Sequence, residues 1–278
     1  MQGWSGRIFV VGAGSMAEAF IRGIIERRAV DAERIQVVNR HRSERINLLQ
    51  ELYGVQAAAG LSAAAAADLI VLAVKPADVA GVLRSLSPYL DGQPILSFAA
   101  GVTLSHLSDL VERKSPVIRT MPNIPVAVLA GATAVSFAAE VQSADRELVR
   151  FLLEQVGKVV EVPEHLMDAA TAFSGSGPGF VCYFLEAMEN AAVDLGFAPE
   201  MARELLLQTV IGTAKTLGEW GLSPRELRER VTSPGGTTHA GISMLQAGNM
   251  EGVVKKALRA AKNRSQEMGQ QLAANSEA

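Results

Sequence analysis

One junction constrains this chain more than any other. Arg7–Val11 (RIFVV) runs directly into Gly12-Ala13-Gly14-Ser15-Met16-Ala17. The β-branched run predicts a buried strand. Met16–Arg27, with Ala17, Phe20, Ile24 and Ile25 at helical spacing, predicts the helix that follows. Between such elements, Gly-x-Gly-x-x-Ala reads as a dinucleotide-binding turn rather than an ordinary glycine turn. Its first glycine allows the chain to reverse, and its second lets a pyrophosphate approach the backbone. Ala17 is small enough for close helix–strand packing. The N–H groups at the helix start have no intrahelical acceptor and so suit an anion. Gly12, Gly14, Ser15, Met16 and Ala17 are therefore the first cofactor-binding candidates.

The strand–helix pattern continues. Ile35–Val38, Leu69–Val74, Pro94–Phe98, Val117–Thr120, Ala132–Phe137 and Lys158–Val162 read as further strands. Leu69–Val74 shows no polar alternation, as a central parallel strand covered on both faces requires. Ser43–Leu52 and Ser143–Val156 read as helices, the second ended by Gly157. This alternation predicts an α/β, Rossmann-type, doubly wound parallel sheet. The alanine run Ala63–Ala67 reads as one or two helical turns.

Past Pro163 no strand pattern appears. Phe180, Phe184, Ala187, Met188, Ala191 and Leu195 form one helical stripe closed by Gly196, and Pro199 opens another helix reaching Leu217. Ser223-Pro224-Arg225-Glu226 is a capping-box sequence. Ser233-Pro234-Gly235-Gly236 breaks the chain before two last helical stretches, which end near Leu272. The expected organisation is a nucleotide-binding domain over residues 1–163 and an all-helical domain over residues 164–278. The 278 residues suit two such units.

Composition removes several classes of function. Lys and Arg number 26 against 29 Asp and Glu, a net charge of −3, so the basic excess that nucleic acid demands is missing. Cys182, the single cysteine, excludes a disulfide framework and a Cys-based zinc site within one chain. His41, His106, His165 and His239 lack metal-ligand spacing, so no metal is expected. Without a signal region or a long apolar run, the chain reads as soluble and cytoplasmic, with no membrane partner.

An NAD enzyme carries an acid about twenty residues beyond the glycine turn, to hold the ribose 2′-hydroxyl. Here the second strand ends in Asn39-Arg40-His41-Arg42. No acid stands there, and two arginines suit a 2′-phosphate, so NADPH is the expected cofactor, with NADH left admissible. A solvated basic loop is the alternative. Ala73-Val74-Lys75-Pro76, Ala99-Ala100-Gly101 and Met121-Pro122-Asn123-Ile124-Pro125 leave the carboxyl ends of other strands, where ligands of open α/β sheets bind. Ala100 and Gly101 are small enough for close approach to a nicotinamide or ribose. Each segment alone could be a plain turn; their shared edge favours the functional reading.

The second domain is informative through what it lacks. No tyrosine has a lysine four residues later, and no lysine lies between Lys158 and Lys215, so a lysine acid on the first long helix is missing. His239 fits a capping role as well as proton transfer. Two polar, glycine-rich turns precede helices: Ser174-Gly175-Ser176-Gly177-Pro178 and Ser233-Pro234-Gly235-Gly236-Thr237-Thr238. Backbone N–H groups and hydroxyls there suit a small carboxylate, although simple capping explains each turn alone. A hydride acceptor needing no strong protein acid fits this inventory, and an imine fits better than a ketone.

These segments together resemble the Δ1-pyrroline-5-carboxylate reductases. The likeness rests on Val11–Ala17, Ala73–Pro76, Arg119–Pro125, Phe173–Pro178 and Val231–Thr238, in family order across nearly the whole chain. Gly179-Phe180 departs from the family's usual Ala-Tyr and loses a hydroxyl beside the turn. The resemblance implies NAD(P)H-dependent reduction of the cyclic imine to L-proline, the last step of proline biosynthesis. It places the substrate carboxylate on Ser233, Gly235, Gly236, Thr237 and Thr238, with Thr238 bonding near the ring nitrogen. Thr171 is a second catalytic candidate. Met121, Pro122, Asn123, Ser174 and Gly175 complete the substrate set. It further implies a homodimer through the helical domain, with decameric assembly left open. The competing readings are a reductase of another cyclic imine or small 2-oxo acid, and a non-catalytic NADP-binding sensor.

Overall fold

The computed structural model describes residues 3–40 and 43–277. Eight strands form one sheet: β1 (Ile8–Val11), β2 (Ile35–Val38), β3 (Gln56–Ala57), β4 (Leu69–Leu72), β5 (Ile95–Ser97), β6 (Val117–Met121), β7 (Gly131–Phe137) and β8 (Gly157–Glu161). Their order is β3-β2-β1-β4-β5-β6-β7-β8. Strand order thus reverses beside β1, whose Val10 lies between Val37 of β2 and Val71 of β4. The crevice at the carboxyl ends of β1 and β4 is the position where such sheets bind ligands.

The sheet is parallel except between β6 and β7, which run antiparallel. Their link is built on a single short 3-10 turn at Ile124–Val128. A parallel crossover needs a dozen or more residues, so this connection forces the reversal. Strand β3, only two residues long, lacks the apolar run that marks a strand in sequence. The alanine run folds as a 3-10 helix over Leu61–Ala66.

The helices are α1 (Ser15–Glu26), α2 (Ser43–Tyr53), α3 (Val79–Leu86), α4 (Leu104–Leu110), α5 (Ser143–Glu154), α6 (Met167–Ala170), α7 (Gly177–Asp194), α8 (Pro199–Trp220), α9 (Pro224–Arg230), α10 (Thr237–Ala247) and α11 (Met250–Glu277). A π-helical turn, Thr171–Gly175, joins α6 to α7. Ile8 and Val10 enter one core with Phe20 and Ile24 of α1 and Leu152 of α5. Phe9 and Val11 enter the opposite core with Leu83 and Leu86 of α3 and Leu107 of α4. Both faces of β1 are therefore dry, which is why its sequence shows no alternation. Full burial of each such side chain contributes about 1.5–3 kcal/mol. Phe20 and Phe98 add an edge-to-face contact at 5.4 Å.

The chain forms two compact units. One comprises the chain as far as Pro178 together with the segment from Ala260 onward; the other is Gly179–Arg259. The last strand ends at Glu161, close to the expected division at Pro163, yet the first unit continues through α6 and the π turn. Buried Arg119 of β6 explains the continuation, because it is ion-paired to Glu164 and Asp168. The end of α11 returns to this unit through Ser265, whose hydroxyl donates to Asp168 at 2.9 Å. In Gly179–Arg259 the apolar side chains that are buried are Ala202 and Leu227 alone. Phe180, Tyr183, Phe184, Leu205, Ile211 and Trp220 are exposed. Among the described residues, no helix is long and apolar enough to cross a membrane.

Candidate active site

The glycine turn sits at the carboxyl end of β1, at the reversal of strand order. Gly12 has φ +107°, and a Cβ there would stand 2.4 Å from the Ala73 carbonyl oxygen, so only glycine fits. At Gly14 the space that a Cβ would occupy is open. Gly14 caps α1 in an extended conformation without any side-chain bond to the first turn. Amide donors aimed at an open volume suit a pyrophosphate. Ala17 is wholly buried and Ser15 exposed. The residues present thus fit a dinucleotide.

The other cofactor candidates lie on neighbouring strand ends. Ala73 follows β4, and its N–H donates to the Val11 carbonyl at 2.9 Å, tying the two turns together. Lys75 is exposed and in extended backbone before Pro76, which begins a 3-10 turn at Pro76–Asp78. Asn39 and the exposed Arg40 follow β2, whereas His41 and Arg42 lie outside the described residues. The Ala100-Gly101 turn follows β5. Its glycine has φ +77°, and a Cβ on Gly269 of α11 would stand 2.6 Å from the Gly101 carbonyl oxygen. Close backbone packing on this turn is thus a local reason for Gly269, and the positive φ is the reason for Gly101.

Two segments assigned to substrate come together inside the first unit. The side chain of Met121 packs on Gly175, where a Cβ would lie 2.5 Å from the methionine methyl carbon. The Asn123 amide donates to the Ser174 carbonyl at 3.1 Å, and its oxygen accepts from the Ala132 N–H at 2.9 Å. One end of that amide therefore fastens the chain between β6 and β7 to the π turn, and the other ties it to the start of β7. Pro122 between them is buried. The Thr171 hydroxyl donates to the Met167 carbonyl at 2.9 Å, and that of Ser174 to Ala170 at 3.0 Å. A hydroxyl whose proton is so engaged still accepts a hydrogen bond, for instance from a protonated imine.

Behind these segments lies a charge cluster. Arg119 is 3% exposed and donates to Glu164 at 2.8 Å and Asp168 at 3.2 Å. The Leu104 N–H donates to the same Glu164 oxygen at 3.1 Å. Asp168 stands one helical turn before Thr171, so the cluster steadies the segment that carries Thr171. An arginine within the apolar strand Val117–Met121 is the signal in the sequence, because a buried cation needs buried partners.

In the second unit, Ser233–Thr238 forms the turn before α10. A Cβ on Gly236 would meet the Ser233 hydroxyl at 2.5 Å, and Gly235 has φ +72°. Gly236 caps α10 with no side-chain bond to its first turn, and Thr237 and Thr238, both exposed, are its first two residues. This helix start also presents amide donors suited to an anion. Among the described residues, no group of His, Cys, Asp and Glu is arranged to hold a metal ion.

Comparison with known proteins agrees with this geometry. Residues 164–268 match the family described as pyrroline-5-carboxylate reductase dimerisation, and residues 7–101 that described as NADP oxidoreductase coenzyme F420-dependent. The chain is 39% identical to pyrroline-5-carboxylate reductase 2 of Bacillus subtilis (strain 168), over 96% of each chain. The structure of a pyrroline-5-carboxylate reductase from Coxiella burnetii superposes with a TM-score of 0.89 at 36% identity, covering 94% of this chain and 98% of that one. That of the Plasmodium falciparum pyrroline carboxylate reductase, with NADP bound, gives 0.83 at 27% identity over 95% and 98%. Likeness at this identity over almost the full length of both proteins places the chain in the pyrroline-5-carboxylate reductase family.

Proposed function

We propose that this chain reduces Δ1-pyrroline-5-carboxylate to L-proline with NADPH, as the last step of proline biosynthesis in the cytoplasm. The observation that carries the reading is the near-full-length likeness to these reductases, including one solved with NADP bound. Bound NADPH supplies the hydride that reduces the carbon–nitrogen double bond. Gly12, Gly14, Ser15, Met16 and Ala17 hold its pyrophosphate on the open start of α1. Asn39 and Arg40, with Arg42 outside the described residues, read its 2′-phosphate. Ala73, Val74, Lys75, Pro76, Ala100 and Gly101 line the remainder.

The substrate carboxylate sits on the Ser233–Thr238 turn, where uncapped amides and the hydroxyls of Ser233, Thr237 and Thr238 meet it. Thr238 bonds near the ring nitrogen. Met121, Pro122, Asn123, Ser174 and Gly175 are the other substrate-binding residues, and the Asn123–Ser174 bond keeps the turn that carries Thr171 in place as a hydrogen-bond acceptor. No lysine acid stands on α7, so in this scheme rate enhancement comes from positioning and charge complementarity.

The exposed apolar side chains of α7 and α8 support a homodimer formed through the helical segment, since a free surface of this kind is costly in water. The deciding assay is loss of NADPH absorbance with pyrroline-5-carboxylate, set against other cyclic imines and 2-oxo acids. Comparable turnover of a 2-oxo acid, or none of the imine, would refute the assignment. Light scattering that finds an active monomer would refute the dimer.

A further inference from the structure

The glycine turn is held from behind by a side chain that the cofactor assignment does not use. Arg45, in the first turn of α2, donates from its Nε to the carbonyl oxygen of Ala13 at 3.0 Å. Its other donor group bonds a carboxylate oxygen of Glu18, which lies in the first turn of α1. The second Glu18 oxygen accepts from the Tyr53 hydroxyl at 3.3 Å. The Arg45 and Glu18 side chains are only about a quarter exposed. Tyr53 closes α2, so the chain of bonds runs from one end of that helix, through α1, to the turn.

Two physical consequences follow from this arrangement. A peptide bond is planar and, with no cis bonds among the described residues, trans, so its C=O and N–H point in opposite directions. Holding the Ala13 carbonyl toward Arg45 therefore turns the Gly14 N–H the other way, away from the Arg45 guanidinium. The second consequence concerns charge. Glu18 puts a carboxylate in the first turn of the helix whose start receives the pyrophosphate, where it would repel that anion. Arg45 neutralises it at contact distance. Tyr53 is kept protonated to donate, its pKa being raised by burial and then by the Glu18 charge.

We infer that Arg45, supported by Glu18 and Tyr53, is a positioning residue that presets the dinucleotide turn for pyrophosphate, independently of any reading of the 2′-phosphate. The inference rests on the cofactor reading above and deepens it. Since the pyrophosphate is common to both dinucleotides, loss of the clamp should weaken NADPH and NADH by the same factor.

The test is direct binding to purified protein, by intrinsic fluorescence or calorimetry, of NADPH, NADH and adenosine 2′-monophosphate. The last carries the 2′-phosphate but no phosphate on its 5′ oxygen, where the pyrophosphate begins. Arg45→Met should raise Kd for NADPH and NADH alike by about tenfold, with their ratio unchanged within about twofold, and leave adenosine 2′-monophosphate within about twofold of wild type. Adding Glu18→Gln to Arg45→Met should recover part of the loss, because the stranded carboxylate is then gone. Tyr53→Phe, the mildest change, should raise both constants about twofold to threefold, with circular dichroism like that of wild type.

Selective loss of NADPH and adenosine 2′-monophosphate binding would overturn the inference, because Arg45 would then read the 2′-phosphate. Unchanged binding of both dinucleotides by a folded Arg45→Met protein would overturn it as well. Wild-type protein that binds neither dinucleotide would instead overturn the reductase reading itself.

Discussion

Replacing Arg119 by Met tests whether the buried charge cluster holds β6, α6 and the end of α11 together within the first unit. The substitution keeps much of the side-chain volume and removes the cation. Two charge-assisted bonds, at 2.8 Å to Glu164 and 3.2 Å to Asp168, are lost. At roughly 1.5–3 kcal/mol each they sum to about 3–6 kcal/mol. The carboxylates are 34% and 24% exposed, so water replaces part of that and the lower end applies. About 3 kcal/mol is also the lower bound for breaking a buried pair. At about 2–4 °C per kcal/mol for a protein of this size, the melting temperature should fall by about 6–12 °C.

Thermal unfolding followed by circular dichroism measures the fall. Hydrogen exchange locates it, and amides from Ala260 to Ala274 should lose protection, because Ser265 bonds the freed Asp168. Combining Arg119→Met with Glu164→Gln and Asp168→Asn should recover at least half of the loss, since stranded charge is the larger cost. A fall of under about 2 °C in Arg119→Met, with protection unchanged, would refute the reasoning.

Three further outcomes can be measured. Thr238→Ala should lower kcat/KM for the imine by about ten- to a hundredfold, roughly 1.4–2.7 kcal/mol of transition-state binding, and unchanged kinetics would remove Thr238 from the mechanism. Gly269→Ala puts a methyl group 2.6 Å from the Gly101 carbonyl oxygen, so it should cost roughly 1–3 kcal/mol and speed exchange along the end of α11; wild-type protection there would contradict the close packing. The Glu226 carboxyl is held below its ordinary value by the Ser223 hydroxyl and then by the Ser223 backbone N–H. Its contribution to the α9 cap is therefore present above the ordinary carboxylate range and lost as pH falls through the lowered value. Amides of α9 should fray between about pH 6 and pH 3 in wild type, with a flat profile in Glu226→Gln; parallel profiles would rule out the cap.

How far the fold could be read from sequence varied with the range of the interaction. The buried runs of β1 and β4, the helix after the glycine turn and the Ser223–Glu226 capping box each rest on neighbours within a few positions, and all are present. The reversal of β7 depended on the length of one link, which the count of residues between Met121 and Ala132 already contained. Strand β3 could not be read, because two residues carry no period. At the site, Gly12 and Gly235 were legible because a turn with positive φ imposes its own residue type. Asn123 was visible only as a polar residue between prolines; that its amide bonds Ser174 and Ala132 is a property of the fold.

The sequence by itself determined the order and type of the main elements, the cofactor turn, the two polar turns and the family. Local periodicity and backbone sterics act within a few residues, so they are written in the chain directly. The tertiary structure alone decided what each buried charge meets. Arg119 finds partners 45 and 49 residues away, Asp168 is joined by Ser265 across 97, and Arg45 reaches the Ala13 carbonyl across 32. A lone arginine announces that it needs an acceptor, but only packing of the sheet and its helices brings one within 3 Å.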